Sequence, residues 1–277
     1  MSAAPRQSRL RRAQGPQINV LHWGDAAAPP VLCIHGAGAH AWWWQDLAPV
    51  LRTSHHVIAP DLRGHGASAH ADSYLVEDFA ADCLAVLDGI ATAPVPVIGH
   101  SMGGRVAAWI AAHHPERVAA LVLLDVRLGA VPRERAERWR GARSGDAPPR
   151  HYASEAEAMA AFRLTPPEPD VAPEVRAALA AHAVRQREDG RWMMAFDRAV
   201  LALDGSRVED LLPIVARIRC PALVLRGRDS TVVATAQTAR LQAALPHAVQ
   251  ETVDGGHHFL LAYPAATATR LAAFLAA

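Results

Sequence analysis

The feature that most constrains this chain is a glycine-flanked serine placed directly after a short apolar run. Residues 95–98 lead into Gly99-His100-Ser101-Met102-Gly103, and an alanine-rich amphipathic stretch begins at Met102. A serine on so tight a strand-to-helix turn must adopt a strained backbone, and side chains at the flanking glycines would collide with the adjoining strand and helix. We therefore expect the hydroxyl of Ser101 at the carboxyl edge of a parallel sheet, where such sheets bind ligands.

Short apolar runs alternate with amphipathic stretches along most of the chain, which indicates strands alternating with helices around a mainly parallel sheet. An antiparallel hairpin is expected over 10–12 and 18–23, before predicted strands at 31–34, 56–59, 95–98, 121–124, 222–225 and 249–253. The predicted helices are 76–87, 102–113, 235–245 and 265–275. Most of the strand runs are continuously apolar, as expected when helices cover both faces of the sheet.

The strand–helix rhythm is interrupted between about residues 127 and 207, where the sequence becomes rich in Arg, Glu and Pro. Helices are expected within this segment near 156–162 and 174–186. A length of 277 residues suits one large domain that carries an insertion. We predict a core domain formed by 1–126 and 208–277, with a cap, or lid, inserted at 127–207.

Composition and charge narrow the possible partners and the compartment. The formal net charge of +1 gives no overall attraction to nucleic acid or to an anionic membrane. No run approaches the roughly 20 apolar residues of a membrane span, and the Arg-rich start lacks the apolar core of a secretory signal. Cys33, Cys83 and Cys220 are expected to be free thiols. We expect a cytoplasmic monomer or homodimer that acts on a small molecule, with no nucleic-acid or membrane partner.

A serine hydroxyl needs a neighbouring base that is itself oriented by a carboxylate. Asp229 follows the predicted strand 222–225, and His257 follows the strand 249–253, so the chain supplies the order Ser, Asp, His. We predict Ser101, Asp229 and His257 as the catalytic residues. Two alternatives stay open, namely Asp125 at the end of strand 121–124 as the acid and the adjacent His258 as the base.

The oxyanion that forms during acyl transfer needs backbone N–H donors. Residues 31–34 lead into His35-Gly36-Ala37-Gly38, whose glycines let the backbone approach a substrate closely. Ala37 and Met102, the residue after the nucleophile, are the predicted donors. Trp42, from the run Trp42-Trp43-Trp44, and His100 are the predicted substrate contacts, because an aromatic wall next to this loop suits an apolar substrate.

Three motifs together resemble the α/β-hydrolase superfamily: HGxG at 35–38, D-x-R-G-H-G-x-S at 61–68 and GHSMGG at 99–104. The resemblance covers essentially the whole chain outside the cap. It implies an α/β-hydrolase fold with an eight-stranded sheet, no cofactor and an acyl-enzyme mechanism. It also implies that the histidine directly after the glycine, His257, is catalytic. The family-loop residues His35, His65 and Asp61 are expected to brace the backbone.

Several activities are compatible with this set of residues. The leading one is hydrolysis of a carboxylic ester of a small or medium hydrophobic acid or alcohol. A lactonase would use the same residues, and so would a hydrolase that cleaves a carbon–carbon bond next to a ketone. Arg63 and His100 stand where the latter group typically has Pro and Asn, which disfavours it. From a different class, a non-catalytic small-molecule receptor can retain the full set.

Overall fold

A central sheet of eight strands organises the protein. The computed structural model describes residues 4–11, 15–130, 150–201 and 210–277. The strands of the sheet are β1 Arg6–Leu10, β2 Ile18–Trp23, β3 Pro30–Ile34, β4 His56–Pro60, β5 Val95–His100, β6 Val118–Leu124, β9 Ala222–Gly227 and β10 Val249–Val253. Their spatial order is β1-β2-β4-β3-β5-β6-β9-β10. The predicted α/β-hydrolase fold with a mostly parallel eight-stranded sheet is therefore confirmed.

The direction of the strands decides where functional loops gather. β2 pairs antiparallel with β1 and β4, whereas every other neighbouring pair is parallel. The carboxyl ends of β3, β5, β6, β9 and β10 consequently lie along one edge. The loops that follow these five strands hold the oxyanion motif, Ser101, both candidate acids and His257.

Alternate residues of the central strands enter separate hydrophobic clusters. Leu32 and Ile34 of β3 belong to one cluster, whereas Val31 and Cys33 belong to the other. Successive side chains of a strand point to opposite faces, so both faces of the sheet are covered. This burial explains why the strand runs are apolar throughout.

Helices supply the cover on the two faces. Their bounds are α1 Ala48–Leu51, α2 Val76–Asp88, α3 Met102–His113, α6 Leu212–Val215, α7 Thr235–Ala244, α8 Phe259–Ala262 and α9 Pro264–Leu275. Short 3-10 helices occur at Ala41–Trp44 and Pro115–Arg117. Across the described ranges, no helix has both the length and the apolar character needed to cross a bilayer.

The inserted segment has its own small elements. It contains α4 Glu155–Ala160, α5 Pro173–His182 and a hairpin of β7 Val184–Gln186 with β8 Trp192–Met194, followed by a 3-10 helix at Arg198–Leu201. The helix predicted over 174–186 therefore ends early. Its last residues pair as a strand because Gly190, with φ +79°, allows the chain to turn back. Residues 131–149 and 202–207 of the predicted cap lie outside the described residues.

The start of the chain departs from the predicted hairpin. β1 covers Arg6–Leu10 rather than 10–12, and it pairs with β2 from Arg6 opposite His22 to Leu10 opposite Ile18. Residues 12–14 lie outside the described part of the chain. This strand lies at the edge of the sheet and is largely exposed, so its residues are mostly polar and show no apolar pattern from which a strand could be predicted.

Candidate active site

Ser101 lies on the strained turn that its sequence predicts. It joins β5 to α3 with φ +53° and ψ −118°. A Cβ on Gly99 would lie 2.5 Å from the carbonyl oxygen of Gly103, and one on Gly103 would lie 2.2 Å from that of Ile34. Both distances are far below van der Waals contact, so only glycine fits two residues before and two residues after the serine.

His257 lies between Ser101 and a carboxylate. Its Nε2 is 3.0 Å from Ser101 Oγ, and its Nδ1 is 2.6 Å from Asp125 Oδ2. The carboxylate accepts a hydrogen bond from the Nδ1–H group of His257. The other ring nitrogen, Nε2, therefore directs its lone pair at the serine hydroxyl. The histidine is 5% exposed and the aspartate 1%, so water screens this contact weakly.

Besides His257, two further hydrogen-bond donors position the carboxylate of Asp125. Its Oδ1 accepts the backbone N–H of Gly227 at 3.0 Å, and its Oδ2 accepts the hydroxyl of Ser230 at 2.5 Å. Asp125 also has φ +48°, one of two positive values among the described non-glycine residues. Strain at such a buried polar residue is typical of functional sites, where the surroundings hold it in place.

The structure contradicts the choice of Asp229 as the acid. Asp229 is exposed, and its backbone N–H donates to the carbonyl of Gly255 at 3.0 Å. The tight loop after β9 turns the next residue, Ser230, towards the site instead. Asp125 ends β6, which lies between the strand of Ser101 and β9, so it reaches the imidazole directly. The acid in contact with His257 is therefore the alternative, Asp125.

A cavity of about 440 Å³ opens beside Ser101. Ala37 and Met102, the predicted oxyanion donors, both line it, as does His100. Trp43 is also a lining residue, together with Phe162 and Phe196 from the segment between β6 and β9. The walls thus bring the predicted oxyanion residues and aromatic side chains to the same cavity.

The choice of Trp42 as a substrate contact is wrong for this cavity. Its ring stacks on His182, with centroids 3.9 Å apart and planes 2° from parallel, and it meets Trp23 edge-on. Neighbouring residues of the 3-10 helix Ala41–Trp44 point in different directions, which carries Trp43 into the cavity in its place. The sequence identifies the aromatic run but not which member faces the substrate.

The histidines of the family loops brace the backbone, as expected. His65 Nε2 accepts the N–H of Gly38 at 3.0 Å, and His35 Nε2 accepts that of Leu62 at 2.9 Å. Asp61 accepts the N–H groups of Ala41 at 2.6 Å and Ala67 at 2.9 Å. These contacts fix the loop that carries Ala37.

His100 and His258 are buried beside His257, and this burial favours their neutral forms. Desolvation lowers the pKa of His100 well below its ordinary value and lowers the pKa of His258 to about 3. The adjacent His257 adds to both shifts through charge repulsion. His100 donates its Nε2 proton to the carbonyl of His257 at 2.9 Å, which ties the histidine loop to the nucleophile turn.

Sequence reasoning missed Glu168, a buried carboxylate from the inserted segment. Its Oε1 accepts the N–H of Gly256 at 3.2 Å, and its Oε2 accepts that of His258 at 3.0 Å. Glu168 therefore accepts hydrogen bonds from the backbone of both residues that flank His257. The available signal was a lone acid inside the proline-rich run Thr165-Pro166-Pro167-Glu168-Pro169, a rigid setting for a single buried charge.

Comparisons with known proteins agree with this fold. A family model described as the alpha/beta hydrolase fold matches residues 29–262. The chain is 41% identical to lipase LipV of Mycobacterium tuberculosis, but only over 39% of this chain and 41% of that protein. It is 26% identical to 3-oxoadipate enol-lactonase 2 of Acinetobacter baylyi over 88% of each chain. The matched region thus spans about two fifths of LipV, the first of these relatives.

Solved structures show the same likeness over the full chain. The thioesterase domain from the curacin biosynthetic pathway superposes with a TM-score of 0.81 at 26% identity, covering 97% of this chain and 99% of that one. The M. tuberculosis esterase Rv0045c also gives a TM-score of 0.81 at 26% identity, covering 100% and 94%. Family model, relatives and structures coincide, and the chain belongs to the α/β-hydrolase fold family.

Proposed function

We propose that this protein hydrolyses a carboxylic ester of a small molecule through an acyl-enzyme on Ser101. The observation that carries the proposal is the continuous hydrogen-bonded chain from Ser101 Oγ through His257 to Asp125, with distances of 3.0 and 2.6 Å, beside an open cavity. Each member has the geometry its role needs: a half-buried hydroxyl that lines the cavity, a base within reach and a buried carboxylate.

The mechanism follows from the placement of the protons. As Ser101 Oγ attacks the ester carbonyl, His257 Nε2 takes the hydroxyl proton, and Asp125 stabilises the resulting imidazolium. The backbone N–H groups of Ala37 and Met102 hold the negative oxygen of the tetrahedral intermediate. His257 then protonates the departing alkoxide. Water enters, gives a proton to the same nitrogen and attacks the acyl-enzyme carbonyl. As the bond to Ser101 Oγ breaks, His257 returns that proton to the serine, and the acid departs.

The volume and the lining of the cavity favour a substrate of modest size that carries apolar groups. A volume of about 440 Å³ lies at the lower end of the range for small-molecule sites. Trp43, Phe162 and Phe196 supply aromatic walls, and the last two belong to the inserted segment. We propose on this basis that 127–207 serves as the cap that shapes the acyl and alcohol pockets.

A lactone is the second candidate substrate. It is favoured by the likeness to an enol-lactonase that extends over 88% of both chains. The chemistry is the same attack on an ester carbonyl, except that the alkoxide stays attached to the acyl group. Comparing open-chain esters with lactones of equal carbon number separates the two candidates.

The test is covalent labelling and turnover in parallel. A fluorophosphonate probe should label the wild-type protein at Ser101, and a p-nitrophenyl ester of a short acid should be hydrolysed. Ser101→Ala should lose labelling and about four to six orders of magnitude in turnover. The control Ser54→Ala, at an exposed serine, should keep both. Turnover of Ser101→Ala within tenfold of wild type, or a wild type that binds esters without cleaving them, contradicts the proposal.

A further inference from the structure

Three buried histidines converge beside the nucleophile. One ring nitrogen from each of His100, His257 and His258 lies within 4.8 Å of the others. The three residues are 1%, 5% and 3% exposed, respectively. The mechanism proposed above uses only His257 as a base, and the Nε2 of His100 donates to the carbonyl of His257. The mechanism gives no role to the Nδ1 of His100 or to the ring of His258.

Hydrogen bonds fix which nitrogen of two rings is free to bind. His100 donates from Nε2 to the carbonyl of His257, so its Nδ1 carries a lone pair, and this buried atom has no hydrogen-bond partner in the part of the chain that the structure describes. His257 donates from Nδ1 to Asp125, which leaves the lone pair on Nε2. Metal-binding histidines are typically held in this way, with the second nitrogen donating to a carbonyl or a carboxylate.

The third ring has no hydrogen bond of ordinary geometry at either nitrogen. Within the described residues, neither Nδ1 nor Nε2 of His258 has such a partner, although both are buried and the backbone carbonyls of Thr165 and Pro166 lie near enough to raise its pKa. Such groups are rare in folded proteins because removal from water is not compensated. The Trp43 ring packs edge-on against His258 with centroids 5.2 Å apart, which keeps the imidazole beside the cavity.

We propose that His100, His257 and His258 form an inhibitory binding site for a divalent transition-metal ion of the Zn²⁺ type. Three neutral imidazoles with water from the cavity are a suitable ligand set for such ions. Tetrahedral Zn²⁺ with Zn–N bonds of about 2.0 Å places ligand nitrogens about 3.3 Å apart. Nitrogens that now lie up to 4.8 Å apart must therefore approach one another by up to about 1.5 Å. An ion on His257 Nε2 occupies the lone pair that would accept the serine proton, which stops acylation.

Binding is tested first, apart from activity. Tag-free, chelator-treated Ser101→Ala protein is titrated with Zn²⁺ by calorimetry and with Co²⁺ by visible absorption. We expect one ion per chain and the intense bands of four-coordinate Co²⁺. Adding His258→Phe should weaken binding by at least about tenfold, because loss of a ligand should cost no less than loss of an outer partner. The matched control, His247→Phe, changes an exposed histidine and should leave the affinity unchanged.

A second variant covers the case in which His258→Phe does not fold. His100→Asn keeps an N–H donor for the carbonyl of His257 but removes the imidazole lone pair, and it too should weaken binding. Folding of both variants is checked by circular dichroism. Absence of Zn²⁺ binding, or unchanged affinity in whichever of the two variants folds, overturns the site.

Inhibition is tested on the protein with Ser101 intact, since this part rests on the proposed function. Zn²⁺ should abolish ester turnover, EDTA should restore it, and the midpoint should shift in His258→Phe by the factor seen in binding. Turnover that persists in the Zn²⁺-saturated enzyme overturns the inhibitory role. A protein that binds Zn²⁺ but never cleaves an ester refutes the proposed function and leaves the metal site standing.

Discussion

The hydroxyl of Ser230 donates to Asp125 at 2.5 Å, on the same carboxylate oxygen that accepts the Nδ1 proton of His257. Ser230 is oriented in turn because its Oγ accepts the N–H groups of Val232 at 3.2 Å and Val233 at 3.1 Å. The loop after β9, where the acid was expected, thus provides a donor that positions an acid on the neighbouring strand.

We expect Ser230→Ala to lower kcat by about tenfold with little change in KM. Loss of a hydrogen bond to a charged group costs about 1.5–3 kcal/mol, part of which appears as poorer orientation of Asp125. Ser230→Thr retains the hydroxyl and should restore most of the rate. Steady-state kinetics on one ester checks both variants. A rise in KM alone, or equal loss in Ala and Thr, would assign Ser230 a different role.

The acid itself is tested by a pair of conservative changes. Asp125→Asn should lower turnover by about four orders of magnitude, because an amide favours the wrong tautomer of His257 and cannot stabilise its imidazolium. Asp229→Asn changes an exposed side chain on the neighbouring loop and is the matched control, so it should stay near wild type. Turnover is measured for both at one pH. The opposite order of severity would return the acid to the loop after β9.

The two aspartates show where sequence reasoning succeeds and where it fails. Strand positions and the glycine-flanked serine are predictable because apolar periodicity and steric exclusion are local. The identity of the acid cannot be predicted in this way, because the loops that carry Asp125 and Asp229 both lie at the correct edge of the sheet. The choice depends on which side chain the loop turns inward. Asp125 directly follows four apolar residues, whereas Asp229 follows Arg228 in a polar run. This difference in the preceding residues is the one local feature that favours a buried position for Asp125.

The aromatic run Trp42-Trp43-Trp44 is limited in the same way. Its position after the HGxG loop predicts an aromatic wall, and one ring does line the cavity. The member that does so is fixed by the 3-10 geometry of Ala41–Trp44 and by the stacking of Trp42 on His182 from α5. That contact joins residues far apart in sequence, so no local pattern encodes it.

Glu168 should couple the inserted segment to catalysis. We expect Glu168→Gln to lower kcat and to destabilise the fold by about 1–3 kcal/mol, because a glutamine has one acceptor oxygen for two N–H groups. The matched control is Asp170→Asn, since Asp170 is exposed and accepts from the hydroxyl of Tyr263 at 3.1 Å. Urea unfolding and ester kinetics are measured on both variants. Equal behaviour of the two would show that the grip on Gly256 and His258 has no consequence.

Buried histidines should make the protein sensitive to acid. Desolvation lowers the pKa of His40 and of His258 to about 3, with neighbouring histidines adding to the shift, and lowers the pKa of His100 well below its ordinary value. In the unfolded chain these side chains titrate near pH 6.5. Between about pH 6.5 and pH 4 the unfolded state therefore binds more protons than the folded state, so the free energy of unfolding falls as the pH falls.

The size of this effect is measurable through one histidine. Each such group contributes a slope of up to about 1.4 kcal/mol per pH unit. His258→Phe removes one proton from the difference between the states, so its loss of stability between about pH 7 and pH 5 should be smaller than that of wild type by about 2 kcal/mol. Urea unfolding at several pH values gives the slopes, and His247→Phe, at an exposed histidine, should keep the wild-type slope. If His258→Phe and wild type lose stability in parallel, the ring of His258 accepts a proton in the folded protein and is not held neutral by burial.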